Sequence, residues 1–491
     1  MNFLIRFSVF ISGCAVMIVE IAAVRSLAPY FGNTVYCWTS VIGVMLAAMS
    51  IGYWAGGLLA DRFNKPGTFF SALAASGLLI SLIPVLSHPV LQKWQYSLGV
   101  RTGPTVSACV FLALPALLCA MFPPFAVSAL TVKDLPGKAA GSVFAVSAIG
   151  SIAGTFLTGF VLIPLFGLSK IYAITGAILF LTGASGVLCC GKKFLLLHVL
   201  ILTPAGLFCA FNFRTPALGD MILFHKDSAY QQVQVGRSND HSIIWLFLDN
   251  TVHSGRWVKQ DGPLFSYENN WKLAWLLKPD TSKVLVAGAG GFSIPRAILD
   301  LHPEAQVETV DIDPVLEETG KKFFQLDQYP QLIRHYQDAR SFLTQAKQFD
   351  LIFVDVFLGK YGIPFHFCTK EFFHTVKSAL SPGGVMMMNL TSAVRGPDSA
   401  LYRALHSTAC TVFPRIVSVA MNPDAFEEEQ NILLLASAET ELGRDFFLSR
   451  EEKIMELGLA GICAKLTEPD QPGLILTDDY APVENLLIMP R

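Results

Sequence analysis

Seven apolar runs fill most of the first 214 residues, near 3–24, 38–60, 67–87, 105–132, 139–164, 168–190 and 194–211. Each is about long enough for a helix, at ~1.5 Å per residue, to cross a hydrocarbon core of roughly 30 Å. The lipid bilayer is therefore the first expected partner of the chain. Composition agrees: 15% of the residues are charged, against about 25% in an ordinary soluble protein.

The charge deficit is not uniform. Residues 1–214 carry 12 Lys+Arg against 3 Asp+Glu, a net +9, whereas residues 215–491 carry 24 against 35, a net −11. An acidic second half argues against a nucleic-acid partner, because phosphate binding needs a basic face. Cys368, Cys410 and Cys463 in that half are odd in number and lack metal-type spacing, which points to a reducing compartment. His225, His302, His335, His366 and His374 show no ligand spacing either, so no metal is expected.

Within the apolar half, "GYWAGGLLA" (52–60) and "GSIAGTFLTG" (150–159) are dense in small residues and read as helix-packing surfaces. Pro115, Pro123 and Pro124 are expected to kink the fourth run. Glu20 and Arg25 are the polar positions of interest in the first run. An acid there marks either a functional site or a contact to a neighbouring helix. With the N-terminus inside, seven Lys and Arg gather on the inner side against five outside, a narrow margin for that orientation. Seven full spans would then leave the second half outside. Either the N-terminus is outside or residues 194–211 do not cross.

Residues 222–257 alternate as short strands, "YQQVQVG" and then "SIIWLFLDN" ending in a turn. From 283 the rhythm becomes strand, turn, helix: "KVLVAGAG" before "SIPRAILDLH", "QVETVDID" before "PVLEETGKKFF", and "FDLIFVDVF" before "TKEFFHTVKSAL". That alternation predicts an α/β doubly wound, Rossmann-like domain. The chain thus divides into a membrane α-helical bundle of about seven segments (1–214), a small β-strand region (215–282) and the Rossmann-like domain (283–491).

Ligands on such sheets bind at the carboxyl ends of the strands. Gly288 and Gly290 end the first strand, in a turn whose bare backbone can approach a cofactor. Asp311 ends the second strand, placed for both ribose hydroxyls. Asp338, followed by Ala339 in "YQDARSFL", is placed for an adenine amine, and Asp355 overhangs the reaction centre. NAD is one candidate cofactor. Its usual G-x-G-x-x-G/A pattern meets Ser293 at the third position here, and the later acids fit an S-adenosylmethionine-type site better.

These residues carry a family resemblance. Residues 222–390, together with "LTDDYAPVENL" (476–486), resemble the spermidine synthase (polyamine aminopropyltransferase) family. More narrowly, with "EIAAVRSLAPYFG" and "GYWAGGLLADR", the chain is similar to bacterial membrane proteins in which that domain follows a transporter-like bundle. The first six segments and "GGLLADR" (56–62) also resemble half of a major facilitator superfamily transporter. The family resemblance implies decarboxylated S-adenosylmethionine or S-adenosylmethionine as co-substrate. It makes Gln231 a cofactor contact and Asp311 the ribose acid. It also makes Asp338 the adenine-side acid and Asp355 the base that deprotonates an attacking amine.

The chain departs from the family pattern at several positions. Gly291 stands where an acid holds the amine of the transferred group, "LDN" (248–250) replaces Leu-Asp-Gly, and His253 replaces a glutamine. "YENN" keeps Tyr267, a substrate contact by resemblance, without the following His-Glu. The Asp-x-x-Asp that grips a diamine has become "DVFL", with Leu358 in the second acidic place. Asp478 and Asp479 are candidates to supply the missing charge around a substrate. Three readings stay open: aminopropyl transfer to a small amine, methyl transfer to a membrane-delivered acceptor, and a transporter-like protein that only senses the cofactor. An inner-membrane, multi-pass location with a cytosolic second half is expected, and a homodimer is the oligomer to look for.

Overall fold

The computed structural model describes residues 1–63, 65–131, 135–190, 221–260, 262–345, 348–357, 362–437, 442–459 and 461–487. The chain forms two compact units. One comprises Met1–Pro216 with Asp227–Ala229, and the other Ala217–Lys226 with Tyr230–Arg491.

Six helices of the first unit are long and apolar enough to cross a membrane: Asn2–Phe31, Val35–Phe63, Pro66–Gln95, Ala113–Thr131, Pro136–Leu165 and Leu168–Cys189. The seventh apolar run, 194–211, lies outside the described residues. Prolines act on the fourth run as expected, and more strongly than by a bend. It divides into Gly99–Phe111, Ala113–Ala120 and Phe122–Thr131, with breaks just upstream of Pro115 and of Pro123–Pro124. The small residues let backbones touch: a Cβ on Gly52 would sit 2.5 Å from the Leu117 carbonyl oxygen, and one on Gly154 2.4 Å from that of Cys14. Phe144, Ile149, Ile152, Phe156 and Phe160 are all exposed in this unit.

The second unit holds two sheets. The smaller has the order β1 (Met221–Asp227), β2 (Gln232–Arg237), β3 (Ile243–Leu248), β4 (Thr251–Trp257). Asp249 and Asn250, both at positive φ (47° and 62°), form the two-residue hairpin between β3 and β4. Asx residues tolerate that left-handed conformation, so "LDN" turns as Leu-Asp-Gly would.

The larger sheet contains β5 (Lys283–Ala287), β6 (Gln306–Asp311), β7 (Ile333–Tyr336), β8 (Phe349–Val354), β9 (Leu380–Ser392), β10 (Arg415–Ala420), β11 (Gln430–Ser437) and β12 (Leu466–Thr467). Its order is β12-β10-β11-β9-β8-β5-β6-β7. The five strands from β7 to β9 are parallel, as the strand–helix alternation predicts. β11, β10 and β12 add antiparallel at the β9 edge, so the sheet is mixed. β5 and β8 are neighbours with their connections leaving in opposite directions. A crevice opens at such a reversal, at the carboxyl ends of the strands. Core packs on both faces, with Val284, Val286, Leu351 and Phe353 on one and Leu285, Ala287, Ile352 and Val354 on the other.

Candidate active site

Strand register alone brings the chemistry together. Ala287 pairs with Val310 on one side and Val354 on the other, and Val354 pairs with Met388. One residue further along, Asp311, Gly288, Asp355 and Asn389 stand level across four adjacent strands. Gly288 makes this close row feasible. Its φ is +95°, and a Cβ there would meet the Asp355 carbonyl oxygen at 2.2 Å. Gly290 (φ +48°) leaves the turn bare: a Cβ would meet nothing nearer than Ser254 Cβ at 3.8 Å. Such an open turn fits the close approach of a nucleoside cofactor.

Asp311 faces that turn. One carboxylate oxygen accepts from the Ala289 amide at 2.8 Å and the other from the Asp313 amide at 2.9 Å. Burial nonetheless raises its pKa to about 6. Gln231 donates to Asp313 at 3.3 Å, which brings the smaller sheet to the end of β6. Asp338 accepts from the Ser341 amide at 2.7 Å and thereby caps the helix beginning at Ala339. Its other oxygen lies 3.6 Å from His366 Nε2. Ala339 is buried.

Asp355 is held from both sides. Asn389 donates to one oxygen at 2.8 Å and the Tyr267 hydroxyl to the other at 3.2 Å. Asn431 donates in turn to Asn389 at 3.2 Å. Burial raises the Asp355 pKa to about 6 against these hydrogen bonds, which lower it. Burial, followed by the nearby Asp355 charge, pushes the Tyr267 phenol well above its ordinary value and keeps it a donor. Glu268, only 3% exposed, accepts from the Leu264 and Phe265 amides and from the Ser293 hydroxyl. It is a buried carboxylate one position earlier than the family pattern would place it.

A cavity of about 340 Å³ opens beside this network. Tyr267, Asn389, Asn431 and His253 bring polar groups to it, and Phe265, Phe357 and Leu487 form apolar wall. Leu358 lies outside the described residues. Asp478 and Asp479 are not among the described lining residues. Instead, Asp478 takes a two-pronged ion pair from Arg340 at 2.8 and 2.6 Å and a hydrogen bond from Thr369 at 2.7 Å. Arg340 holds the Asp478 carboxyl below its usual range. Asp478 therefore ties the C-terminal segment to the helix that follows β7.

At Gly291 a side chain would require the Ser254 hydroxyl to turn aside. A Cβ there would lie 2.6 Å from Ser254 Oγ, itself buried with no hydrogen-bond partner among the described residues. In the first unit, Glu20 is half-buried, with no hydrogen bond or ion pair among the described residues. Arg25 donates to the carbonyls of Ser228, at 2.9 Å, and Ala229, both in that same unit. Among the described residues no three His, Cys, Asp or Glu side chains gather as a metal site would require.

Sequence reasoning named Asp311, Asp338, Asp355 and Tyr267 as site candidates and did not single out Asn389, Asn431 or the buried Glu268. The visible signal for Asn389 was an amide ending the apolar run "VMMMNL". Asn431 had no comparable signal.

A mixed sheet with carboxylates lined along the carboxyl edge of its parallel strands defines a Rossmann-like domain of the methyltransferase type. The spermine/spermidine synthase domain model matches residues 268–423. The polyamine aminopropyltransferase of Vibrio vulnificus is 31% identical over 204 residues, 38% of this chain and 67% of that protein. A probable polyamine aminopropyl transferase of Bifidobacterium longum is 26% identical over 281 residues, 54% of this chain and 62% of that protein. The eEF1A lysine and N-terminal methyltransferase of Bos taurus is 28% identical over 167 residues, 32% of this chain and 24% of that protein. The chain belongs to the spermine/spermidine synthase family and is a transferase.

Proposed function

We propose that the protein is a multi-pass inner-membrane enzyme whose cytosolic second unit moves an aminopropyl group from decarboxylated S-adenosylmethionine to an amine. The observation that carries this reading is the level row Asp311–Gly288–Asp355–Asn389. The bare turn and Asp311 would hold the nucleoside, and Asp338 its base. Asp355 would receive the proton of the attacking amine, whose nitrogen forms a bond to the carbon beside the sulfonium. The C–S bond breaks, and its electron pair leaves on sulfur as a neutral thioether. Because the sulfonium is already a good leaving group, the protein's task is orientation and proton removal. The exposed aromatic and aliphatic side chains of the first unit support a lipid environment for it.

Transfer of methyl from intact S-adenosylmethionine is the second reading. It is favoured by Gly291, which offers no carboxylate where the family resemblance expects one to hold the donor's amine. Purified full-length protein, incubated with each donor and a panel of amines, separates the two readings by its nucleoside product. Methylthioadenosine reports aminopropyl transfer and S-adenosylhomocysteine reports methyl transfer. Absence of methylthioadenosine with every amine would overturn the first reading. Absence of S-adenosylhomocysteine with every amine and with added membrane extract would overturn the second.

A further inference from the structure

A linear cation needs a carboxylate at each charged end or open water there, because a desolvated ammonium without a partner is costly. Asp355 serves the reacting end. The carboxylate among the described lining residues of the cavity is Glu429, an exposed side chain just before β11.

Register places it. Asn431 pairs with Thr391 and Gln430 with Ser392. Side chains alternate with period two, so Glu429, Asn431, Thr391 and Asn389 share one face if the extended backbone continues one residue outward. Glu429 then lies four positions along the strand direction from Asn389, roughly 13 Å at ~3.3 Å per residue. A four-carbon diamine separates its nitrogens by five bonds, or ~6 Å at the ~1.2 Å per bond of an extended chain. It cannot reach from Asp355 to Glu429. Asp355 stands at the end of β8, two inter-strand steps of ~4.8 Å from β11, so its backbone position is roughly 16 Å from that of Glu429. An amine with its second nitrogen about nine bonds away spans ~11 Å and, with an ion-pair contact of ~3 Å at each end, bridges the two. Phe357 and Leu487, on the cavity wall, offer its methylenes an apolar surface.

We infer that Glu429 is a specificity-determining residue that selects linear amines with a second cationic nitrogen eight to ten bonds from the reacting one. The inference rests on the amine-acceptor reading above. In that reading the near nitrogen attacks the carbon beside sulfur, gives its proton to Asp355, and the C–S electron pair leaves on the thioether.

The test compares 1,8-diaminooctane, 1,4-diaminobutane and n-octylamine as acceptors for the full-length enzyme and for Glu429→Gln and Glu429→Lys. Calorimetric binding of the same amines to enzyme saturated with methylthioadenosine runs in parallel. The long diamine is expected to have the highest kcat/KM. Glu429→Gln should raise its KM about fivefold, as befits a partly solvated ion pair. Glu429→Lys should raise it more than tenfold, and both effects should exceed those on n-octylamine. Equal KM for the long diamine in all three proteins, or preference for the short diamine, overturns the inference while leaving amine alkylation intact. Glu429-dependent binding without turnover instead supports the anchor and removes the proposed reaction. Absence of both binding and turnover removes both.

Discussion

Asn389 donates to the Asp355 carboxylate at 2.8 Å from the neighbouring parallel strand, and this contact favours the ionised form of the proposed base. Burial raises the Asp355 pKa to about 6, and the Asn389 and Tyr267 hydrogen bonds stabilise the ionised form against it. A base must be ionised to accept a proton. The kcat/KM for an amine is therefore expected to fall as pH drops through about 6, in addition to any effect of amine protonation. Asn389→Leu removes a stabilising donor, so its acid limb should move to higher pH. Asp355→Asn should bind the donor normally and lose about 10²- to 10⁴-fold in turnover. Full turnover in that variant excludes the role of base.

Asp311→Ala is expected to abolish detectable donor binding. At the end of β6 the carboxylate would meet the ribose, and it already organises the Ala289 and Asp313 amides. The Asp311 pKa is raised to about 6 by burial, and hydroxyl donors favour the ionised form. Donor affinity in the wild-type protein should therefore weaken as pH falls through about 6. Isothermal titration with either sulfonium donor, from pH 5 to 8, measures both effects. Unchanged affinity in Asp311→Ala would remove it from the donor site.

Gly288→Ala tests the row itself. The new methyl would meet the Asp355 carbonyl oxygen at 2.2 Å, and the backbone there has φ +95°. Strain and a forced shift between β5 and β8 are expected to destabilise the second unit by roughly 2–4 kcal/mol and to displace Asp355. Thermal unfolding and single-turnover rates report the two consequences. A variant as stable and as fast as wild type would mean that the strand ends are not held this closely.

The parallel strands were legible because buried central strands leave an apolar run closed by a polar residue. "VETVD" and "LIFVD" each close on an aspartate and "VLVAGAG" on a glycine turn, and each announces a strand and its carboxyl end. The antiparallel addition of β10 to β12 was not legible, since pairing direction depends on connections that a local pattern does not encode. The same holds for the cavity. Asn431 comes to Asn389 only through β11–β9 register, across 42 residues of chain. Asp478 shows the converse. Its acidity suggested a substrate contact, but Arg340, 138 residues earlier in sequence, was its partner.

Putrescine, the four-carbon diamine, is expected to be a poor acceptor. Leu358 replaces the second acid of the family's diamine grip and Gly291 the acid of the donor-amine contact, while Asp478 is engaged by Arg340. A buried ammonium without a carboxylate partner is disfavoured. Methylthioadenosine release with putrescine should stay below one tenth of the best acceptor's rate. Robust formation of spermidine would mean that other acids complete the site.

The proposed cytosolic side of the second unit is argued from span counting and charge together. If each of the six long apolar helices crosses the membrane, the chain after Cys189 returns to the side of Met1. If residues 194–211 then lie along the membrane surface, Arg214 joins the N-terminal side, and the Lys and Arg divide eight to four in favour of that side being cytosolic. A seventh span would divide them seven to five and put the second unit outside, unless the N-terminus itself were outside. The co-substrates proposed for Asp311 and Asp355 are cytosolic metabolites, which agrees with the six-span arrangement. A reporter that fluoresces only in the cytosol, fused after Arg491, should therefore light up. A second reporter, active only outside, should stay silent at the same position. A signal from the external reporter alone would overturn the cytosolic assignment and leave the enzyme without direct access to its donor.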